Sequence, residues 1–237
     1  MHIRWFGHAC FLTTEAGTAV LVDPFDGRRA SARRGLRFDY PPLPPLKPDL
    51  VLVTHGHLDH DGASTLDPIC PVLRTPGQYQ QSGVSVHAIT ADHDEVGGRE
   101  MGETLILSWH QGATRCCHLG DCGQAFLRGP QVAAIGRPHV LFIPVGGPPT
   151  LGPRQAVRCI QALQPQVAIP MHYRTAAINF LQPLEPFLEV AAGRFTICQA
   201  ATDAIDIQPE ATWQTTTIQV LAAPCHAPEP DPAACPD

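Results

Sequence analysis

The feature that most constrains this chain is an apolar run that stops abruptly in candidate ligands. Leu50-Val-Leu-Val-Thr54 is followed by His55-Gly-His-Leu-Asp-His-Asp61, three histidines and two aspartates in seven positions. A short apolar run bounded by polar, glycine-marked sequence reads as a buried strand, so the fold must bring this strand end to an edge where ligands are held. In extended backbone His55 and His57 point to the same side, because side chains alternate with period two, and they can grip one cation. Gly56 keeps the tight turn free of a side chain, and Asp59 and His60 can then face a second cation. Imidazole and carboxylate donors suit zinc, and also manganese or iron. The bland reading is a capped polar turn in a chain with 12 histidines; the spacing and the position at a strand end favour metal binding.

Upstream, "HIRWFG", "CFLTTEAG" and "TAVLVDPF" are apolar runs separated by glycines and read as a β-meander. "DHDGASTLD", after the histidine motif, has an aspartate placed to start a short helix. "CPVLRTP", "GVSVHAIT", "ETLILSWH" and "ATRCCHLGD" follow as strands with no long helix between them, which points to a mixed or antiparallel sheet. The second half alternates: "PQVAAIG" reads as a short helix, "HVLFIPV" as a strand, "GPRQAVRCIQAL" as an amphipathic helix begun by Pro153, "PQVAIPMH" as a strand and "PLEPFLEVA" as a helix. His55, Asp121 and His172 each sit just past an apolar run and could converge on one edge of a layered α/β core. The expected organisation is one domain over residues 1–221 and a proline-rich, unstructured tail over 222–237.

Composition narrows the partners. With 16 basic residues against 22 acidic ones and a net charge of −6, a broad nucleic-acid surface is disfavoured. The one basic cluster, "RRASARRGLR" at residues 28–37, could hold an anionic small-molecule substrate, although a solvated loop is the commoner use of such a run. Nine cysteines include no C-x-x-C pair, the N-terminus lacks a secretory pattern, and no stretch reaches the about 18 apolar residues of a membrane helix. A reduced, cytoplasmic setting is therefore expected, with most cysteines acting as small core residues.

The pieces "WFGHACFL", "VDPF", "VTHGHLDH", "ADHDEVGG", "HLGDCG" and "IPMHY" together resemble the metallo-β-lactamase-fold superfamily. Within it the chain is similar to bacterial metal-dependent hydrolases related to ascorbate-6-phosphate lactonase and to the phospholipase D that cleaves N-acyl phosphatidylethanolamine. The resemblance spans residues 5 to 173 and implies an α/β (α+β) fold, the four-layer αββα sandwich. It implies that His55, His57 and His93 hold one divalent metal, that Asp59, His60 and His172 hold a second, and that Asp121 bridges them. Such a pair, zinc or else manganese or iron, supplies a bridging hydroxide that attacks an ester-type bond, whether phosphodiester, lactone or other ester. Asp59 is then both ligand and proton acceptor.

His8 and Asp23 occupy positions that the resemblance puts near the site, as substrate contacts or as supports for ligands; a carboxylate accepting the free N–H of a ligating histidine would fix its tautomer. Their plainer readings are a buried turn histidine and a turn initiator before Pro24. His118 and Tyr173 point to site or core with equal force. Relatives often carry threonine after the bridging aspartate, where this chain has Cys122, a thiol that could alter metal choice or simply fill space. Competing functions are a non-catalytic metal-binding scaffold or sensor, a nuclease, and a flavodiiron-type oxidoreductase, against which His57 and the missing flavin-binding region count.

Overall fold

The three N-terminal runs pair in the order they occur: β1 His2–Gly7, β2 Cys10–Glu15 and β3 Thr18–Val22 form an antiparallel meander. This computed structural model describes residues 1–30, 36–66 and 70–226, apart from the side chains of 28 and 29. In it β3 is continued in parallel by β4 Leu50–Leu52 and β5 Val72–Leu73. A late strand, β13 Ala204–Asp206, adds to the free side of β1 and completes a six-stranded sheet.

The second sheet has eight strands. β6 Gly77–Gln81, β7 Val84–Asp92, β8 Glu103–Gln111 and β9 Thr114–His118 run antiparallel. β10 Val140–Pro144, β11 Val167–Met171, β14 Thr217–Val220 and β12 Thr196–Gln199 then continue the sheet in parallel. β10 and β11 are buried along their whole length, which is why they read as unbroken apolar runs rather than alternating ones.

The two sheets pack face to face, and period-two alternation decides what each residue meets. Val20, Val22, Leu50 and Leu52 join the core between the sheets, where Trp5, Trp109 and Phe142 are also buried. Leu21, Val51 and Val53 face the other way into a smaller cluster with Phe25, Phe38 and Tyr40. The helices α2 Gly129–Ile135, α3 Pro153–Leu163 and α4 Glu185–Ala191 form the layer beside the larger sheet. α3 starts at Pro153, whose missing N–H costs nothing in a first turn, and buries Ala156, Val157, Cys159, Ile160 and Leu163 on one face. Over the smaller sheet the outer layer is different. Among the described residues it consists of one turn of helix, α1 Gly27–Ala30, a 3-10 turn at Ala63–Thr65, and the proline-rich strap whose Phe38 and Tyr40 pack on Ala177, Ile178 and Leu181. The architecture is the αββα sandwich.

One expectation is corrected: among the described residues, the short helical turn after the histidine motif is not started by an aspartate. The amides of His60 and Asp61 both bond to the His57 carbonyl, and that of Gly62 bonds to Pro24 O. The backbone is thus committed to a tight turn against β3, and only the 3-10 turn, preceded by Gly62 without a side-chain cap, remains. The arginine-rich stretch 28–37 and the tail 222–237 fall in large part outside the described residues, at 31–35 and 227–237.

Candidate metal centre

The sandwich brings the ends of four strands to one edge. His55 follows β4, His93 follows β7, Asp121 follows β9 and His172 follows β11; the β1–β2 turn adds His8, and Asp23 follows β3. Backbone bonds stitch the two sheets together there, from Leu105 N to Thr54 O at 2.9 Å and from His172 N to His8 O at 3.2 Å. His8, Asp23 and His172 have φ of 53°, 46° and 51°. Left-handed backbone at residues other than glycine costs about 1–3 kcal/mol and persists where the surroundings over-determine it. Here it turns three polar side chains inward at the ends of strands.

Two trios of imidazoles result. His55, His57 and His93 form one, with His55 Nε2 2.9 Å from His57 Nδ1. His8, His60 and His172 form the other, and all three are buried. Asp121 lies between them: its Oδ2 is 3.1 Å from His172 Nε2, 3.3 Å from His60 Nε2, 3.4 Å from His93 Nε2 and 3.9 Å from His55 Nε2. Ligands about 2.0–2.1 Å from a tetrahedral cation sit about 3.3 Å from one another, so these spacings suit donors gathered around cations. The buried side-chain atoms without a hydrogen-bond partner concentrate at the same place: both nitrogens of His8 and of His93, His60 Nε2, His172 Nδ1 and Asp121 Oδ1. Buried polar groups are ordinarily paired, and so many orphans in one cluster fit a site that takes metal ions.

Supporting bonds fix which nitrogens face inward. Asp23 accepts from Thr54 N at 2.8 Å, from Thr54 Oγ1 at 2.7 Å and from His60 Nδ1 at 2.8 Å. With Nδ1 protonated, His60 presents the lone pair of Nε2 to the centre. Thr54 has spent its only proton on Asp23, so its hydroxyl can only accept from His55 Nδ1, 3.0 Å away. His55 therefore also presents Nε2. Desolvation by burial lowers His8 to about 4 and His55 to about 3, which leaves both neutral near pH 7. Burial alone would raise the Asp23 carboxyl, but its hydrogen bond and attraction to His60 hold it below the usual range. Burial would likewise lower His60, yet Asp121 and Asp23 on either side push it well above an ordinary histidine.

Thr54 was not visible as a support in the sequence, and neither was Asp94. The Asp94 carboxylate accepts from the amides of Val96, Gly98, Glu100 and Met101, and so organises the loop that follows His93. The signal was present in Asp94-Glu-Val-Gly-Gly, since aspartate before a glycine pair favours such a turn. Asp59 belongs to neither trio; its Oδ2 is 3.2 Å from His8 Nε2, and its side chain is 22% exposed.

The ambiguous residues divide clearly. His118 is fully buried, with Nε2 donating to Ala9 O at 3.0 Å and Nδ1 accepting from Gly120 N at 3.0 Å, so it pins backbone rather than facing the centre. Tyr173 packs on Trp5 in the core. Cys122 lies in the core cluster; burial pushes its thiol up, with Cys159 as the next influence, so it is a protonated space-filler facing α3. The centre opens on the side of the motif, where Gly56 is exposed and His57 and Asp59 are half-buried.

An αββα sandwich with a histidine cluster at one edge defines the metallo-β-lactamase class of fold. The model of the β-lactamase superfamily domain matches residues 2–172. A UPF0173 metal-dependent hydrolase from Methanopyrus kandleri is 30% identical over 208 residues, which cover 74% of this chain and 85% of that protein. The crystal structure of a metallo-β-lactamase superfamily protein from Thermotoga maritima is similar with a TM-score of 0.68 and 28% identity, covering 92% of this chain and 98% of that one. The isothiocyanate hydrolase from Delia radicum gut bacteria shares the fold, with a TM-score of 0.62 at 18% identity over 82% and 93% of the two chains. The chain belongs to the β-lactamase superfamily and, within it, to the UPF0173 metal-dependent hydrolases. Among the described residues, no helix is long and apolar enough to cross a membrane.

Proposed function

We propose that the chain is a dinuclear hydrolase that cleaves an ester-type bond, a phosphodiester, lactone or other ester, in a small-molecule substrate. The observation that carries this reading is the position of the Asp121 carboxylate within 3.1–3.9 Å of nitrogens from both histidine trios. His55, His57 and His93 would hold one cation, His60 and His172 would share in holding the other, and Asp121 would serve both. Zinc suits this donor set, with iron or manganese as alternatives. When bound, such a pair supplies a nucleophilic water that is deprotonated near neutral pH and polarises the attacked oxygen.

The protein's own part is to hold and orient. Asp23 and Thr54 keep His60 and His55 in one tautomer each, so that no ligand must reorganise during turnover. Asp59, beside the opening, is the carboxylate placed to accept a proton from the incoming water. Phe38 meets His8 edge-on at 5.3 Å and also lines a groove of about 840 Å³ with Phe25, Tyr40, Leu43, Leu46 and Leu66. The open side of the centre favours a catalyst over a closed structural site. A cytoplasmic setting fits the absence of any disulfide among the described cysteines.

The test pairs metal analysis with a substrate screen. Protein reloaded with zinc should hold about two equivalents and turn over at least one of bis(p-nitrophenyl) phosphate, a lactone panel or an aryl-ester panel. The reading fails if one equivalent saturates the protein, or if fully loaded protein cleaves none of these substrates.

A further inference from the structure

We propose that His8, with His60 and His172, completes the second cation position, and that Asp59 stands beside this position at the mouth of the site instead of on the metal. The inference rests on the dinuclear reading above and changes its ligand set. A ring nitrogen of His8 lies within 4.8 Å of the ligand nitrogens of His60 and His172, all three residues being buried, whereas among the described residues no comparable trio includes Asp59. The rings confirm the convergence, with centroids 4.3 Å from His8 to His172 and 4.9 Å from His8 to His60.

A second observation is independent of that clustering. His8 is 0% exposed; its Nδ1 has no hydrogen-bond partner, and its Nε2 approaches Asp59 Oδ2 at 3.2 Å. A buried imidazole with an unpaired nitrogen is costly, and a cation taking the lone pair of one nitrogen, with the other facing Asp59, removes that cost. Asp59 is under no such pressure, because its side chain reaches solvent. The backbone also holds His8 in place. Its carbonyl accepts from Trp5 Nε1 at 3.1 Å and from His172 N at 3.2 Å, and its φ of 53° turns the ring into the cluster.

The chemical consequence is a second position with three imidazoles and the shared Asp121. A nitrogen-rich set favours zinc or iron and disfavours oxygen-seeking manganese or magnesium. Asp59, released from the metal, keeps both carboxylate oxygens for His8 and for protons delivered at the mouth. His8 Nε2, 3.2 Å from Asp59 Oδ2, links the two. A carboxylate against a ligating histidine also strengthens that histidine as a donor.

The experiment counts metals rather than turnover. Full-length protein, stripped with chelator, is titrated with zinc, and the two successive dissociation constants are compared for wild type, His8→Gln and Asp59→Asn. His8→Gln should weaken the second equivalent by about 100-fold or more, and Asp59→Asn by about tenfold or less. The inference is overturned if Asp59→Asn weakens the second equivalent as much as His8→Gln does, or more. Because His8→Gln could disturb folding, a measurement on wild type stands beside it. In protein loaded with cadmium-113 and labelled with nitrogen-15 at histidine, the His8 ring should show direct metal–nitrogen coupling, and absence of that coupling at full loading would reject the proposal. If wild type itself takes up only one metal, the dinuclear reading fails instead, and the two failures are distinguishable.

Discussion

The two halves of the centre use the same side chain in different surroundings. His57 is half-buried beside an exposed Gly56, so water reaches the first trio at that residue, although His93 and the His55 ring are nearly covered, whereas His8, His60 and His172 are all closed off. In the open half the His57 imidazole can be hydrated when no metal is bound. In the closed half the polar atoms of an imidazole must be satisfied by carboxylates, by one another or by a cation. On the dinuclear proposal, metal loading of the closed half is tied to stability, and that of the open half to tautomer control of His55 by Thr54.

Asp121 should erase the difference, because its carboxylate approaches nitrogens of both halves. Asp121→Ala is expected to weaken both metals and to lower kcat/KM by about 10³-fold or more, checked by metal content and by kinetics on whichever ester the screen identifies. Retention of one equivalent at wild-type affinity would mean that the carboxylate serves only one half.

Asp23→Asn should strike the closed half selectively. It removes the charge opposite His60 and puts a donor where Asp23 accepts three hydrogen bonds. The expected costs are about 3–5 kcal/mol in the metal-free protein and a 10–100-fold weaker second metal, read by urea unfolding and by titration. The pH dependence has two limbs of opposite sign. The depressed Asp23 carboxyl contributes stability above its unfolded value of about 3.9, and that contribution is lost as pH falls through the folded value. The raised His60 contributes stability fully below about 6.5, and loses it as pH rises through its folded value. In metal-free Asp23→Asn the acid limb should shrink to the part carried by Asp59 and Asp121, whose carboxyls are also held low, and the alkaline limb should move to lower pH.

What could be read in the sequence, and what could not, follows the same physical division. The histidine motif at the end of β4 and the start of α3 at Pro153 were legible because each is a local rule, a period of two or a missing N–H. β6 and β12–β14 were not. Gly77–Gln81 is polar and becomes a strand only by pairing with β7, and β13 returns about 200 residues later in the chain to pair with β1, as in His2 with Asp206. The same holds at the centre. Spacing put Asp59 next to His60, but which side chain meets His172 depends on the left-handed backbone at His8 and on packing across two sheets.

Thr54→Val tests the open half by the smallest change that disturbs it. The valine keeps the shape but removes both the bond to Asp23 and the acceptor for His55 Nδ1–H. His55 is then free to switch tautomer, and the first metal should weaken by about tenfold with the second affected less. Stability should fall by about 1–2 kcal/mol, since the buried carboxylate loses a donor. Weakening confined to the second metal would show that Thr54 acts through Asp23 and His60 instead.

Cys122→Thr should move neither half, although the residue adjoins Asp121 in sequence. Its thiol is buried in the core near Cys159, and burial pushes its pKa up. Threonine adds a methyl group and a hydroxyl at a close-packed apolar position, and the expected effect is about 1–2 kcal/mol of stability. Both zinc dissociation constants should stay within about threefold of wild type. A larger change in either would mean that the Cys122 side chain turns toward Asp121 when metal binds, and would extend the centre by a sulfur donor.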